Sequence, residues 1–450
     1  FDRRDRVGGA LHTLLQDGYE IELGVDNFIS TLPWGLQLCK ELGLSDKLVQ
    51  TNAQYRRTYV ARKSRLHLLP DGFLMMAPTK LLPMATTPLL SPLGKLRAGL
   101  ELFMPARRDN IDESMANFVL RRFGREIFER LVEPLISGVY AADMDKLSVL
   151  ATLPRFREME RDHGSLIWAM QKQLAANRSA KLAEQSGARY SLFVTLQGGL
   201  SLICDSIVSK LPAGSVKLSE AVESVTLQND GKYVLKTNNT KSPETTNNTQ
   251  TNLTYDAIIL ACPSHEGAKL LRDILPDVAS RLSEIEHEGT AIVTFAFNNE
   301  QIKQPLKGMG FVVPKIEKSV ILAGSFSSLK YPHRTPEGKQ LIRIFAGGAR
   351  NPTAAEMPDE ELVPLLFNEL KRIVKITGEP LFNVVAHWAR TMPQYYVGHR
   401  ELIQTIEQTT SQQPLLALAG NAFHGIGIPN CIRSGFDAAE KIHNELTKKR

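Results

Sequence analysis

The residues best suited to chemistry lie near the C-terminus, in LALAGNAFHGIGIPNCIRSGFDAA, residues 416–439. A short apolar run ending in Ala419-Gly420 predicts a buried parallel strand that stops abruptly. Gly420, Gly425 and Gly427 then let the backbone turn tightly and approach a ligand. Pro429 suits the first turn of a helix whose apolar side carries Ile432, Phe436 and Ala439. Strand, glycine turn and helix start together present free N–H groups at a positive dipole end, which suits an anionic or electron-rich group. Competing chemistry is missing from the rest of the sequence. The ten histidines are dispersed without H-E-x-x-H spacing, so no metal ligands are assigned. Cys39, Cys204, Cys262 and Cys431 form no C-x-x-C and read as reduced and buried. Without Ser-His-Asp or Cys-His arrangements the reaction must be a cofactor's, and no catalytic side chain is assigned.

The start of the chain, FDRRDRVGGAL, sharpens this. Asp2, Arg6, Gly8 and Gly9 form an acidic-x-x-x-Arg-x-Gly-Gly pattern that resembles the end of the second strand of a flavin-binding Rossmann unit. Paired with residues 416–439, it resembles opposite ends of the discontinuous dinucleotide domain of the monoamine oxidase and protoporphyrinogen oxidase superfamily. That resemblance implies FAD. It implies that Asp2 holds the adenosine ribose and that the Arg6–Gly9 turn runs under the cofactor. Backbone at Gly24, Val25, Asp26 and Asn27 then passes the flavin, Val222 bonds the adenine through its main chain, and Trp388 lies near the isoalloxazine. Gly420, Asn421, Ile426, Gly427 and Ile428 complete the cofactor-binding set. The family also has a strand and GxGxxG turn roughly twenty to thirty residues upstream of Arg-x-Gly-Gly, cradling the pyrophosphate. This chain starts at Phe1 without it, so the expectation is a truncated first unit and weak FAD binding.

The elements that must position these residues follow from patterning. Residues 10–29 alternate as a hairpin turning at Gly18, with Gly24 ending its second strand. Trp34–Leu48 reads as an amphipathic helix stopped near Gly43, and residues 58–70 as strands around a basic turn at Arg62, Lys63 and Arg65. Leu74–Pro105 is rich in Leu, Met and Pro, cut into helices too short to span a bilayer. Its basic residues beside an apolar face suit a membrane surface. Helical periodicity runs from Met115 to Phe123 and Ile127 to Leu135, is broken at Gly138-Val139-Tyr140, and resumes at Leu147-Ser148. The text of 113–166, ES…RRFG…EP…SGVYAAD…LS…GS, resembles the protoporphyrinogen oxidases more than amine oxidases or phytoene desaturases. Gly198-Gly199 precedes a further helix, 216–228 reads as a strand pair, and the polar run 237–252 reads as a disordered hairpin tip. YDAIILACP (255–263) is a second buried parallel strand. Strands at 289–297, 310–314, 319–326 and 341–348 form a largely antiparallel sheet backed by an amphipathic helix at 360–374.

The expected fold is therefore α/β, with a discontinuous Rossmann-like FAD domain in three parts (1–73, 190–279, 396–450). A helical membrane-associated domain (74–189) and a sheet domain for substrate (280–395) complete it. The resemblance implies oxidation of protoporphyrinogen IX or coproporphyrinogen III by dioxygen in haem biosynthesis. Alternatives are another flavin oxidase or desaturase of the superfamily, or an inactive scaffold without FAD. A carboxylate-bearing macrocycle wants cations at its rim, and Arg62, Arg65, Arg390 and His399 are the candidates. The net charge of +6 comes without a Lys/Arg block, so nucleic acid is not an expected partner. A membrane surface is expected, a homodimer is compatible with the sequence, and the expected location is cytoplasmic with peripheral membrane attachment.

Overall fold

Period-two apolar patterning in the second half of the chain builds the largest element, a seven-stranded sheet. The structure, a computed structural model, describes residues 1–173, 192–240 and 251–448. In spatial order the strands are Phe382–Pro393, His287–Asn298, Lys339–Gly347, Ile321–Phe326, Gly310–Val312, Thr58–Arg62 and Arg65–Leu68. All neighbours run antiparallel except Gly310–Val312 beside Thr58–Arg62. The strands at 58–68, read from sequence as part of the first cofactor segment, thus pair into the sheet of the second region. Helix Asp359–Val374 covers one face, setting Phe367 among Phe295 and Phe297 with ring centroids 5.6 and 6.1 Å away. Each such phenylalanine contributes about 2–3 kcal/mol of burial. Acidic residues Asp359–Glu361 open this helix and Lys371 and Arg372 close it, matching its dipole.

The helical region comprises Leu81–Thr86, Pro92–Gly99, Met115–Phe123, a run from Arg125 to Tyr140, Val149–Thr152 and Pro154–His163. Ser114 and Ser148 cap two of these helices, accepting from the amides of Asn117 (3.2 Å) and Ala151 (2.8 Å). The break expected at Gly138-Val139-Tyr140 falls at its last residue rather than at the glycine. The helix passes through Gly138 and ends at Tyr140, capped by Ala141 in left-handed conformation at φ 52°. A Cβ on Gly138 would lie 3.7 Å from Val312 and 3.8 Å from Ala323, so this glycine sits where the helix meets the sheet.

The cofactor-like parts are smaller. Ile258–Leu260 pairs in parallel with Leu416–Leu418, and among the described residues nothing pairs with its other edge. Asp2 makes a parallel bridge to Leu218. Residues 216–228 hold one strand, Glu220–Leu227, rather than a pair: Ser219, at φ 56°, breaks the chain from the preceding bridge. This strand joins Tyr233–Asn239 and Thr251–Tyr255 in an antiparallel sheet. The run 237–252 is strand at both ends, with Thr237 opposite Thr251, while 241–250 lies outside the described residues. Cys39 is buried, whereas Cys204, Cys262 and Cys431 are partly exposed, short of the full burial read from sequence. No described helix is long and apolar enough to cross a membrane.

Candidate functional site

Residues from the two ends of the chain meet around one place. At the N-terminal end, the Asp2 amide donates to the Lys217 carbonyl (2.8 Å) and its carboxylate accepts from the Arg4 amide (2.9 Å). Gly8 and Gly9 turn with φ 95° and 55°. A Cβ on Gly8 would lie 2.7 Å from the Leu11 carbonyl, so the turn needs glycine. The Arg6 guanidinium closes it, donating to the carbonyls of Val7 (3.2 Å) and Gly9 (2.7 Å).

Hairpin Thr13–Gln16/Tyr19–Glu22 then returns the chain to this turn, where Val25 donates to the Ala10 carbonyl at 3.1 Å. Gly24 is held tightly. A Cβ there would fall 2.2 Å from the Ala10 carbonyl oxygen and 3.0 Å from the Trp388 ring. The Trp388 indole donates to the Leu23 carbonyl (2.7 Å), and the Arg4 guanidinium lies 5.6 Å from the Trp388 ring centroid. Val25, Leu11 and Phe28 share an apolar cluster with Ile428, the first residue of helix Ile428–Lys448. Gly35 fits between Phe28 and Pro429.

At the C-terminal end, the Gly420 amide donates to the Ser434 hydroxyl (3.1 Å) and the Asn421 side chain to the Thr391 carbonyl (3.2 Å). The Tyr395 hydroxyl spans the turn, donating to the Asn421 carbonyl (2.6 Å) and accepting from the Gly425 amide (2.8 Å). Ile426 packs against the core of the helical region. Among the described residues the amides of Gly427 and Ile428 have no acceptor, while the Gly427 carbonyl accepts from the Cys431 amide (3.0 Å). These are the open donors expected of a helix start facing a ligand. Val222 stands apart from this convergence, on its bulged strand beside the cluster of Ile258 and Leu416.

Beneath Gly24–Asn27 lies a buried charge cluster. The Asp26 carboxylate receives Lys330 Nζ at 2.6 Å, Arg334 Nη1, and Arg343 Nη1 at 3.1 Å. Burial works to raise this carboxyl, but the Arg334, Lys330 and Arg343 cations overrule it and hold it well below the usual range. Arg343 also donates to the Gly24 carbonyl (2.7 Å), and Arg334 to the Asp26 carbonyl and Thr195 hydroxyl (both 3.0 Å). Farther out, burial pushes Glu22 up to about 7, although Arg334 and the Leu200 amide pull the other way.

Sequence reasoning missed Lys330, Arg334, Arg343 and Tyr395 as parts of this place. The cations' partner lies about three hundred residues earlier in the chain, so no local spacing marks them. Among the proposed rim cations, Arg62 donates to the Leu89 carbonyl (3.3 Å) and Arg390 occupies left-handed backbone at φ 50°. His399 is corrected. It is buried and stacked on Tyr395 at 4.0 Å, and burial pushes its imidazole down to about 4, so it is neutral at physiological pH.

This geometry can be set beside known proteins. Residues 1–443 match the family described as flavin containing amine oxidoreductase. The chain belongs to that family. It is a flavin-dependent oxidoreductase, and its cofactor is FAD. Within the family it is 34% identical to coproporphyrinogen III oxidase of Bacillus subtilis (strain 168), over 96% of this chain and 88% of that one. It is 29% identical to the chloroplastic protoporphyrinogen oxidase of Nicotiana tabacum, over 99% and 81%. A crystal structure from Exiguobacterium sp. 255-15 superposes with a TM-score of 0.84 at 28% identity, covering 98% of this chain and 92% of that one. The mixed α/β fold is that of the FAD-binding amine oxidase superfamily. The residues present fit FAD. Open amides at the helix start suit the electron-rich edge of a flavin, and Gly8 and Gly24 bring two chain segments together without side chains.

Proposed function

We propose that this family member oxidises a porphyrinogen to the porphyrin with dioxygen as acceptor, in haem biosynthesis, and that coproporphyrinogen III is the preferred substrate. The observation that carries the reading is the near full-length match to coproporphyrinogen III oxidases at 32–34% identity, against 27–29% for the chloroplast and mitochondrial protoporphyrinogen oxidases. FAD supplies hydride acceptance from a substrate carbon and re-oxidation by dioxygen.

The chain's own residues bind and orient. The Asp2 carboxylate accepts from a ribose hydroxyl and Val222 offers its main chain to the adenine. Arg6, Gly8 and Gly9 shape the turn beneath the cofactor, and Gly24–Asn27 and Trp388 wall the ring. The Gly427 and Ile428 amides, at the positive end of a helix, stabilise negative charge on the ring's polar edge. Tyr395 fixes Asn421–Gly425, and Ile426 ties that turn to the helical region, which with the seven-stranded sheet encloses the apolar macrocycle. Cations at the rim, Arg62, Arg65 and Arg390 among them, meet its carboxylates. The domain division read from sequence stands in this proposal, with the 58–68 strands moved to the substrate sheet.

Peripheral attachment to the cytoplasmic face of a membrane is part of the same proposal. Leu82 (75% exposed), Leu93 (78%) and Phe103 (84%) stand out from the helical region with Leu96 and Trp168. Lys80 and Lys95 border them, as at an interfacial surface. Flotation with anionic vesicles that is lost in a Leu82→Asp, Leu93→Asp double variant supports attachment. Concentration-dependent dimerisation lost in that variant assigns the face to a second copy instead.

The activity is tested by supplying coproporphyrinogen III, protoporphyrinogen IX and putrescine in turn to the FAD-loaded protein. Porphyrin fluorescence and oxygen uptake are followed. Faster turnover of the tetracarboxylate is expected, and oxidation of the amine without either porphyrinogen sinks the reading.

A further inference from the structure

Three ties fix the backbone at Leu23–Asp26. The Leu23, Gly24 and Asp26 carbonyls accept from Trp388, Arg343 and Arg334 respectively. Two of these donors are arginines whose side chains are fully buried, an expensive choice where a neutral donor would hold a carbonyl equally well. Lys330, 15% exposed, adds a third cation. All three crowd onto the single carboxylate of Asp26; Arg343 Nη1 reaches it as an ion contact at 3.1 Å without hydrogen-bond geometry, and Arg343 Nε has no hydrogen-bond partner among the described residues. The other acids lie on the Arg334 side, Glu20 3.5 Å from its Nε and Glu22 3.8 Å from its Nη2. Glu20 accepts from the Gly198 amide (2.7 Å), and Glu22 accepts from the Leu200 amide (2.8 Å) and the Thr13 hydroxyl (2.9 Å). His333 lies 3.4 Å from Glu20, and Tyr331 stacks under Arg334, its ring centroid 4.5 Å from the guanidinium. The side of the cluster nearest Gly24 is therefore richer in positive than in negative charge.

We propose, on the placement of FAD given above, that Lys330, Arg343 and Asp26 form a charged platform under Gly24–Asn27 that sets the electron affinity of the bound flavin. Accepting a hydride, two electrons and one proton, adds one negative charge to the ring. A fixed positive charge in a water-poor interior stabilises that state without reorganising. These are positioning residues, acting through the loop and through their field rather than by touching the reacting atoms.

The test is the flavin midpoint potential, measured by dye-equilibrated reductive titration of FAD-loaded protein. Lys330→Met and Arg343→Met should lower it and Asp26→Asn should raise it. Each change should be about tenfold in the oxidised-to-reduced ratio, ~30 mV for a two-electron couple. Arg343→Lys should stay near the parent, and the charge-balanced Asp26→Asn, Lys330→Met double variant should return towards it. Loosening of the loop has no reason to give opposite signs. If Arg343→Met does not fold, Lys330→Met against Lys330→Arg carries the decision. Midpoints that do not move, or that move the same way on losing the anion and the cation, overturn the platform. A parent protein that takes up no FAD overturns the placement on which it rests, and is a separate result.

Discussion

Two buried charge networks serve different regions of this molecule, and their difference is instructive. In the helical region Arg121, Arg122 and Arg157 meet Glu101, Glu113 and Glu160, cation for carboxylate. Arg122 and Glu101 are both fully buried, and Glu101 is further satisfied by the Ser165 hydroxyl (2.5 Å) and Leu166 amide (2.8 Å). Beneath Gly24–Asn27, Lys330 and Arg343 share the one carboxylate of Asp26, Arg334 joins it to Glu20 and Glu22 (3.5 and 3.8 Å), and Arg343 leaves N–H groups unspent among the described residues. Balanced charge with full hydrogen bonding is what a fold needs to tolerate ions in its interior. An imbalance held in place at the same cost is better explained by a charge that arrives during turnover.

The comparison breaks most visibly in the balanced network. Arg122→Met strands Glu101 without its partner, and an uncompensated buried charge costs about 3–5 kcal/mol. Urea denaturation should show that loss, while the flavin midpoint potential of the FAD-loaded protein at low temperature stays at the parent value. A shifted potential would mean that the two networks are not separate in function.

Acidity separates them next. Glu22 is raised from 4.5 to about 7, so the folded protein binds a proton that the unfolded chain releases. The stability it contributes is complete below about pH 4.5 and fades as pH rises through 7, by at most ~3.5 kcal/mol. The denaturant midpoint of the parent should therefore fall between pH 5 and 8, and Glu22→Gln should flatten that slope. A slope that survives the substitution assigns the proton elsewhere.

A smaller effect falls on Tyr395. Tyr395→Phe removes the hydroxyl that joins the Asn421 carbonyl to the Gly425 amide, leaving two partly buried groups to find other partners. The cost is about 1–2 kcal/mol, read as roughly tenfold weaker FAD binding in a fluorescence titration. Stability should change by no more than the same amount.

How far this was legible from sequence differs between the two regions for the same physical reason. Periodicity and caps are local, so the helix at 359–374, the hairpin at 13–22 and the Gly420–Pro429 turn could be read directly. The convergence of Gly24 with Trp388 and of Val25 with Ile428 was reached through resemblance, because no spacing rule joins residues so far apart. Tertiary contacts decided the rest. Asp26 was placed by its backbone alone, its three cations having no local signature. His399 looked like a cation until Tyr395 was seen lying over it. Gly138 looked like a helix stop because a glycine's two uses, turning and close approach, are written with the same letter.

That ambiguity gives the finest test, a pair of identical substitutions. At Gly24 an added methyl meets a carbonyl oxygen at 2.2 Å, backbone that cannot yield without moving Ala10. Gly24→Ala should therefore weaken FAD binding at least tenfold, as displaced backbone opens the loop. At Gly138 the same methyl meets only Val312 and Ala323 at ordinary contact distance, inside a helix. Alanine there should be neutral or stabilising, by up to ~1 kcal/mol from reduced unfolded-state freedom. A Gly138→Ala protein less stable than the parent would show that helix and sheet are closer in solution than 3.7 Å allows. The seam between helix and sheet would then be under strain like the Gly24 loop, and the contrast between the regions would narrow to charge alone.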